Sequence, residues 1–268
     1  VINQIRMEFS WGYAIEYCLS AVNHCTPSYA AHFYGKHMLP IEQVAELLSL
    51  VREDKKISFD KEYAEQLYLE YNARKSFDDT EVVKGLKEKF KGKKILLIAP
   101  GKSIVNSGQK INAAILQPDT VSISLNNCEK FDTDFVFVTR QEILNSALEE
   151  GKRVITTNSV TDISNEVVEV IDYKKWIVVN DEVQDSSGII VLNLLSKCGV
   201  EEIILAGFDG FHVNVNKNYY DKAMNHPITP EQVRRRNSYF SKYIEDLRKK
   251  ISIKFLTESV YEVVYEKN

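Results

Sequence analysis

The chain has 268 residues, 44% hydrophobic and 27% charged, an ordinary balance for a globular protein and enough length for two modest domains or one large one. A formal net charge of -4 and a sequence pI near 5.8 give no electrostatic case for a nucleic-acid partner. No uninterrupted apolar stretch approaches the roughly 20 residues that span a bilayer, so no membrane partner is expected.

Val1-Ile2-Asn3-Gln4-Ile5-Arg6 lacks the basic and apolar regions of a secretory leader and also an initiator Met, so a fragment of something longer is expected. Cys18, Cys25, Cys128 and Cys198 are scattered, with no Cys-x-x-Cys pair. Reduced thiols in a cytoplasmic protein are the corresponding expectation.

Residues 1–92 predict helices throughout. Trp11 to Val22 places Tyr13, Tyr17 and Ala21 on one stripe, and Thr26-Pro27 interrupts and restarts the pattern. A short helix from Ser28 to Tyr34 follows, then one from Ile41 to Val51 that starts behind Pro40 and buries Val44, Leu47, Leu48 and Val51. Asp60 is the expected cap of a helix from Lys61 to Asn72, and Asp78-Asp79-Thr80 of one from Glu81 to Phe90, which Gly92 ends. An array with one apolar face needs a partner surface, and closing a homo-oligomer is one way to supply it.

From residue 93 the rhythm changes to short β-branched runs alternating with helices. Strands are predicted at Ile95–Ala99, Val121–Leu125, Phe135–Val138, Val154–Thr157, Val167–Ile171, Trp176–Val179, Ile203–Ala206 and Ile253–Leu256. Helices are predicted at Ser186–Cys198, apolar around most of its surface, and from about Thr229-Pro230 to Lys250. The fold class is therefore α/β, a Rossmann-like, mostly parallel sheet with helices on both faces, preceded by a helical region. The boundary falls at Lys91-Gly92-Lys93, giving units 1–92 and 93–268.

Ligands of open α/β sheets bind at the C-terminal ends of strands, where helix-starting N–H groups favour an anion. The first such place is Pro100-Gly101-Lys102-Ser103, where glycine admits close approach and Lys102 adds charge. It is neither a P-loop, since Gly108 falls on the wrong side of Lys102, nor a dinucleotide fingerprint, since Pro100 stands at the first glycine. The alternative is an ordinary strand-to-helix turn with Ser103 as its cap. Ser186-Ser187-Gly188 offers hydroxyls and backbone donors to a phosphate or sugar, or merely caps the buried helix. Asn126 and Asn127 either read a base or ribose or form a turn. Thr139-Arg140 ends another strand, and Arg140 either pairs with a phosphate or is solvated. Asp209, in Gly207-Phe208-Asp209-Gly210, puts a carboxylate at the mouth of the site to bind a hydroxyl or metal, or to hold the turn. Tyr219 and Tyr220 either stack on a base or anchor their loop, and Arg234-Arg235-Arg236 either binds an anion or, among many acidic neighbours, forms a solvated helix face.

The turns in residues 93–260 resemble those of Rossmann-like bacterial sialyltransferases and a related family of uncharacterised and motility-associated proteins. Those families carry a Gly-x-Gly-Pro-Ser turn after the first strand; here Gly101 and Ser103 keep the pattern while Pro100 and Lys102 depart from it. Their Asn after the second strand is similar to Asn126 or Asn127, their Ser-Gly helix start to Ser186-Ser187-Gly188, and their Gly-x-Asp to Gly207-Phe208-Asp209. The resemblance implies a cytidine-nucleotide site at these turns. It also implies a general base in the loop that holds His226, although the residues around His226 match poorly. The N-terminal part, with Trp11-Gly12-Tyr13-Ala14-Ile15-Glu16-Tyr17 and Thr26-Pro27-Ser28-Tyr29-Ala30, resembles the post-barrel helices of aldolases of the pyruvate-metallolyase superfamily. Those enzymes hold a metal with an Asp and a His-x-His pair. The scattered His24, His32, His37, His212 and His226 provide no such pair, so neither a metal site nor lyase activity is expected of this chain alone.

Three functions are thereby open. One is a C-terminal accessory portion of an aldolase-like polypeptide that binds a nucleotide or sugar phosphate. The second is a nucleotide-sugar-dependent glycosyltransferase in which His226 or Asp209 assists an acceptor hydroxyl. The third is a non-catalytic scaffold. No particular cofactor is implied.

Overall fold

Short strands of four to six residues, rich in β-branched side chains as expected from the sequence, build the sheet, and the helices between them cover its two faces. The computed structural model describes residues 77–126, 130–139, 141–158, 168–176, 186–225 and 228–262. Contacts along the chain divide it into two units, Val1–Asp78 with Asn158–Ile163, and Asp79–Thr157 with Ser164–Asn268. The second is the α/β unit. The helices expected before residue 77 lie outside the described residues.

Helix α1 (Thr80–Phe90) opens this unit, on the near side of the boundary that the sequence suggests at 91–93. Glu81 in its first turn and Lys87 and Lys89 in its last complement the helix dipole, and Gly92, at φ 69°, turns the chain out of it. Val83, Leu86 and Phe90, spaced three and four apart, form its buried stripe, and Phe90 meets Phe135 edge-on at 5.6 Å between ring centroids.

β1 (Lys94–Ile98) follows, then a 3₁₀ turn at Lys102–Val105, α2 (Gly108–Ile115), β2 (Thr120–Leu125), β3 (Phe135–Val138), α3 (Gln141–Glu149), β4 (Val154–Thr157) and β5 (Val168–Ile171). The chain continues through α4 (Tyr173–Trp176), α5 (Ser187–Ser196), β6 (Glu202–Ala206), α6 (Pro230–Arg248) and β7 (Ser252–Phe255). The seven strands pair in the order β5-β4-β3-β2-β1-β6-β7, every pair parallel. β1 explains why its sequence is apolar without alternation. Ile95 and Leu97 join α1, α5 and α6 on one face, Leu96 and Ile98 join Ile104 and Ile111 on the other, and all four strand residues are fully buried.

One expected strand departs from expectation at its first residue, the one residue of it that the structure describes. Trp176, placed by the sequence in a strand over Trp176–Val179, ends the short helix α4, and residues 177–180 lie outside the described residues. The reason is a buried polar clasp. Asp79 starts α1 through its backbone (Val83 N–H to Asp79 O, 2.8 Å), but its side chain makes no cap hydrogen bond. The carboxylate accepts instead from the Trp176 indole at 2.5 Å, Lys175 Nζ at 2.5 Å and the Asp172 N–H at 3.1 Å. The end of β5 is thus tied to the start of α1. Burial on its own would raise the Asp79 pKa, but these donors outweigh it and hold the carboxyl below its usual range.

Two outcomes follow. Phe90→Ala, which empties a fully buried ring site, should cost about 3–5 kcal/mol in urea unfolding, whereas a loss under about 1 kcal/mol would mean that α1 is not docked on the sheet. A depressed carboxyl supplies stability above its ordinary pKa that is lost as pH falls through the folded value. Melting curves from about pH 6 to about pH 3 should therefore fall more steeply for the parent protein than for Asp79→Asn.

Candidate functional site

The strand order reverses at β1. From β1 the chain passes to β2 on one side, and from β6 to β7 on the other, so the turns leaving these adjacent parallel strands diverge and open a crevice. A cleft of about 120 Å³ lies there, lined by residues from both turns, from the end of β2 and from the start of α5.

Backbone contact at its floor sets the geometry. The Ala99 N–H donates to Ala206 O at 2.8 Å and the Gly101 N–H to Gly207 O at 3.1 Å. A Cβ on Gly101 would sit 2.2 Å from Gly207 O, and one on Gly207 would sit 2.0 Å from Ala99 O. Gly207 also holds φ 71°, where side chains are disfavoured. Both glycines are thus required by close approach, and Gly101 serves the fold before it serves any ligand.

Ser103 and Asp209, 106 residues apart, meet directly. The Ser103 N–H donates to Asp209 Oδ2 at 2.7 Å, Ser103 Oγ to Oδ1 at 2.5 Å, and the Lys102 backbone adds a further hydrogen bond. The turn does cradle an anion, but that anion is the chain's own carboxylate. Burial raises the Asp209 pKa, and the Ser103 and Lys102 hydrogen bonds and the nearby His212 only partly offset it. Lys102 itself is exposed, and neither Lys102 nor Ser103 lines the cleft.

Pro100, Gly101, Asn126, Ser186, Ser187, Gly188 and Asp209, dispersed in sequence, are brought together on the cleft wall. Ser186 caps α5 by accepting the Ile189 N–H at 3.1 Å. The Ser187 hydroxyl lies 3.2 Å from that of Thr139, which joins the end of β3 to α5 behind the wall. Gly188 makes room for the Phe208 ring, 3.1 Å from where a Cβ would stand. Asn126 adopts φ 58°, the left-handed turn conformation that asparagine tolerates, with its N–H on Phe137 O at 3.0 Å. Asn127, Arg140 and His226 lie outside the described residues.

Several wall residues carry no local sequence signal. Phe211, Asn218, Phe240 and Tyr261 reach the cleft from the long loop after β6, from α6 and from beyond β7. Phe240 and Tyr261 stack at 5.4 Å, and Tyr261 donates to Asn237 Oδ1 at 3.3 Å. Tyr219, weighed from sequence as a base-stacking or anchoring residue, both lines the cleft and pairs with Gly101 in an antiparallel bridge. The wall is therefore aromatic on one side and polar at the strand ends, the composition of a small-molecule site. Among the described residues, no group of three or more His, Cys, Asp or Glu is placed to hold a metal ion.

A raised Asp209 carboxyl means stability that is full below its ordinary pKa and is lost as pH rises through the folded value. Asp209→Asn keeps both partners on Ser103, because an amide oxygen accepts from N–H and an amide NH₂ donates to the hydroxyl, but it removes the buried charge. Its melting temperature relative to the parent protein should therefore rise between about pH 4 and about pH 7. A flat or falling difference would mean that the carboxylate ionises without penalty. No family model matches the chain, and no curated protein matches it either.

Proposed function

We propose that the α/β unit binds a small nucleotide or sugar phosphate in the crevice between β1 and β6, as an accessory module of an aldolase-like polypeptide. One observation carries the binding reading: the turns after β1, β2 and β6 and the first turn of α5 converge on a single cleft at the point where the strand order reverses. The Tyr219, Phe211 and Tyr261 rings give a base or sugar face an apolar surface. Ser187 and Gly188 start a ten-residue helix within the same cleft, and the helix dipole favours a phosphate there. The link to an aldolase-like polypeptide rests on the Trp11–Tyr17 and Thr26–Ala30 segments alone.

A second reading, nucleotide-sugar transfer, draws on Asp209. Its raised proton affinity at the cleft wall suits a group that takes a proton from an acceptor hydroxyl. Three of its lone-pair positions are already engaged by the β1 turn, which favours binding over catalysis.

A thermal-shift screen separates these readings. It uses cytidine, uridine, guanosine and adenosine mono- and diphosphates and ribose 5-phosphate, with and without divalent metal, beside an assay of nucleotide release from nucleotide-sugar donors. A nucleotide at about 100 times its dissociation constant should add about 2.7 kcal/mol, with no turnover of a nucleotide-sugar donor. Release of nucleotide from that donor would move the assignment to a transferase. No shift with any nucleotide or sugar phosphate would favour a scaffold.

A further inference from the structure

The β1 turn has the sequence of an anion cradle and the occupancy of a filled one. The Gly101 N–H is taken by Gly207 O, while the Lys102 and Ser103 backbone groups and the Ser103 hydroxyl hold Asp209. A phosphate placed against this turn would find its donors engaged and a carboxylate in front of them, and like charges at such a distance repel. A ligand hydroxyl meets the opposite situation. An ionised carboxylate offers about four acceptor positions. The three donors from the turn leave one, and Asp209 lines the cleft. The β6 turn that carries Asp209 is also held by the segment after β7, with the Val260 N–H on Asp209 O at 3.0 Å and the Gly207 N–H on Thr257 Oγ1 at 2.9 Å. The free acceptor position is therefore preorganised.

We infer that Asp209 is the hydroxyl-recognising residue of this cleft, so that a bound nucleotide or sugar phosphate turns its sugar ring, and not its phosphate, toward the β1 and β6 turns. This rests on the reading of the crevice as a nucleotide or sugar-phosphate site. It gives the ligand a direction: sugar hydroxyls against Asp209, phosphate away from Pro100-Gly101-Lys102-Ser103. It also assigns a role to Ser103, which holds the carboxylate in place for the ligand and makes no contact with the ligand itself.

The test is calorimetric titration of the full chain with the four ribonucleoside 5′-monophosphates, their 2′-deoxy and 3′-deoxy counterparts, ribose 5-phosphate and inorganic phosphate. Asp209→Asn and Asp209→Ala are titrated alongside, and circular dichroism checks that each variant is folded. A hydrogen bond to a charged group predicts that at least one deoxy analogue binds the parent protein at least about tenfold more weakly than its ribonucleotide. That gap should close to less than about threefold in Asp209→Asn. Asp209→Ala, which empties the cradle, should gain affinity for inorganic phosphate. If ribo- and deoxynucleotides bind the parent protein equally, or the gap survives in Asp209→Asn, the inference fails while the nucleotide site stands. If no nucleotide or sugar phosphate binds, the reading of the cleft and the inference fail together. Should Asp209→Ala not fold, Asp209→Asn and the deoxy series decide the matter without it.

Discussion

The structure depends on the close contact between the turns that leave β1 and β6. Adjacent parallel strands whose chains depart in opposite directions open a crevice by topology, but a crevice becomes a defined site only if its floor is rigid. Here rigidity comes from main chain lying on main chain. Gly101 and Gly207 allow an approach that any Cβ would prevent, and the Ala99 and Gly101 N–H groups extend the sheet's hydrogen bonding past the last strand residue. Ser103 and Asp209 then close the contact from above. Loss of either glycine would be felt first in the junction of β1 with β6, and only through that in the cleft.

Further polar contacts hold the helices of the same layer. Asp79 ties α4 to the start of α1, and Asn193 on α5 donates to Trp176 O at 2.9 Å. The helices covering the crevice's side of the sheet are thus pinned by buried side-chain bonds in addition to apolar packing. A buried carboxylate with several good donors is specific about geometry, because its partners are costly to leave unpaired. Asp79 and Asp209 illustrate two balances of the same forces. Around Asp79 a lysine and an indole outweigh burial and the carboxyl is lowered, whereas around Asp209 burial outweighs neutral donors and the carboxyl is raised.

The sheet was legible because its central strands are apolar on both faces, a pattern that a covered parallel sheet requires. Ile95–Ile98 shows it, as does Phe135–Val138, and boundaries fell within a residue of expectation. The helix starts at Ser186 and Thr229-Pro230 were legible for a local reason as well, since a cap and a first-turn proline act within four residues. Trp176 was misread because its β-favouring neighbours Ile177, Val178 and Val179 said strand, while the partner that holds it in a helix, Asp79, is 97 residues away. Phe211, Phe240 and Tyr261 were silent in the sequence for the same reason: an aromatic residue on a helix or in a loop reads as core until the fold shows what lies beside it.

The sequence by itself determined which turns would gather at the C-terminal end of the sheet. Strand ends are local features, and in a parallel sheet all of them point the same way. It could not determine what those turns present. Ser103 and Asp209 each read either as a ligand contact or as a local support of its own turn, and only the 106-residue closure that sets β6 beside β1 joined them to each other. Hydrogen-bond donors are finite, and a donor's partner is decided by whatever the tertiary structure brings nearest. A turn written as an anion cradle thereby became the support of an internal carboxylate.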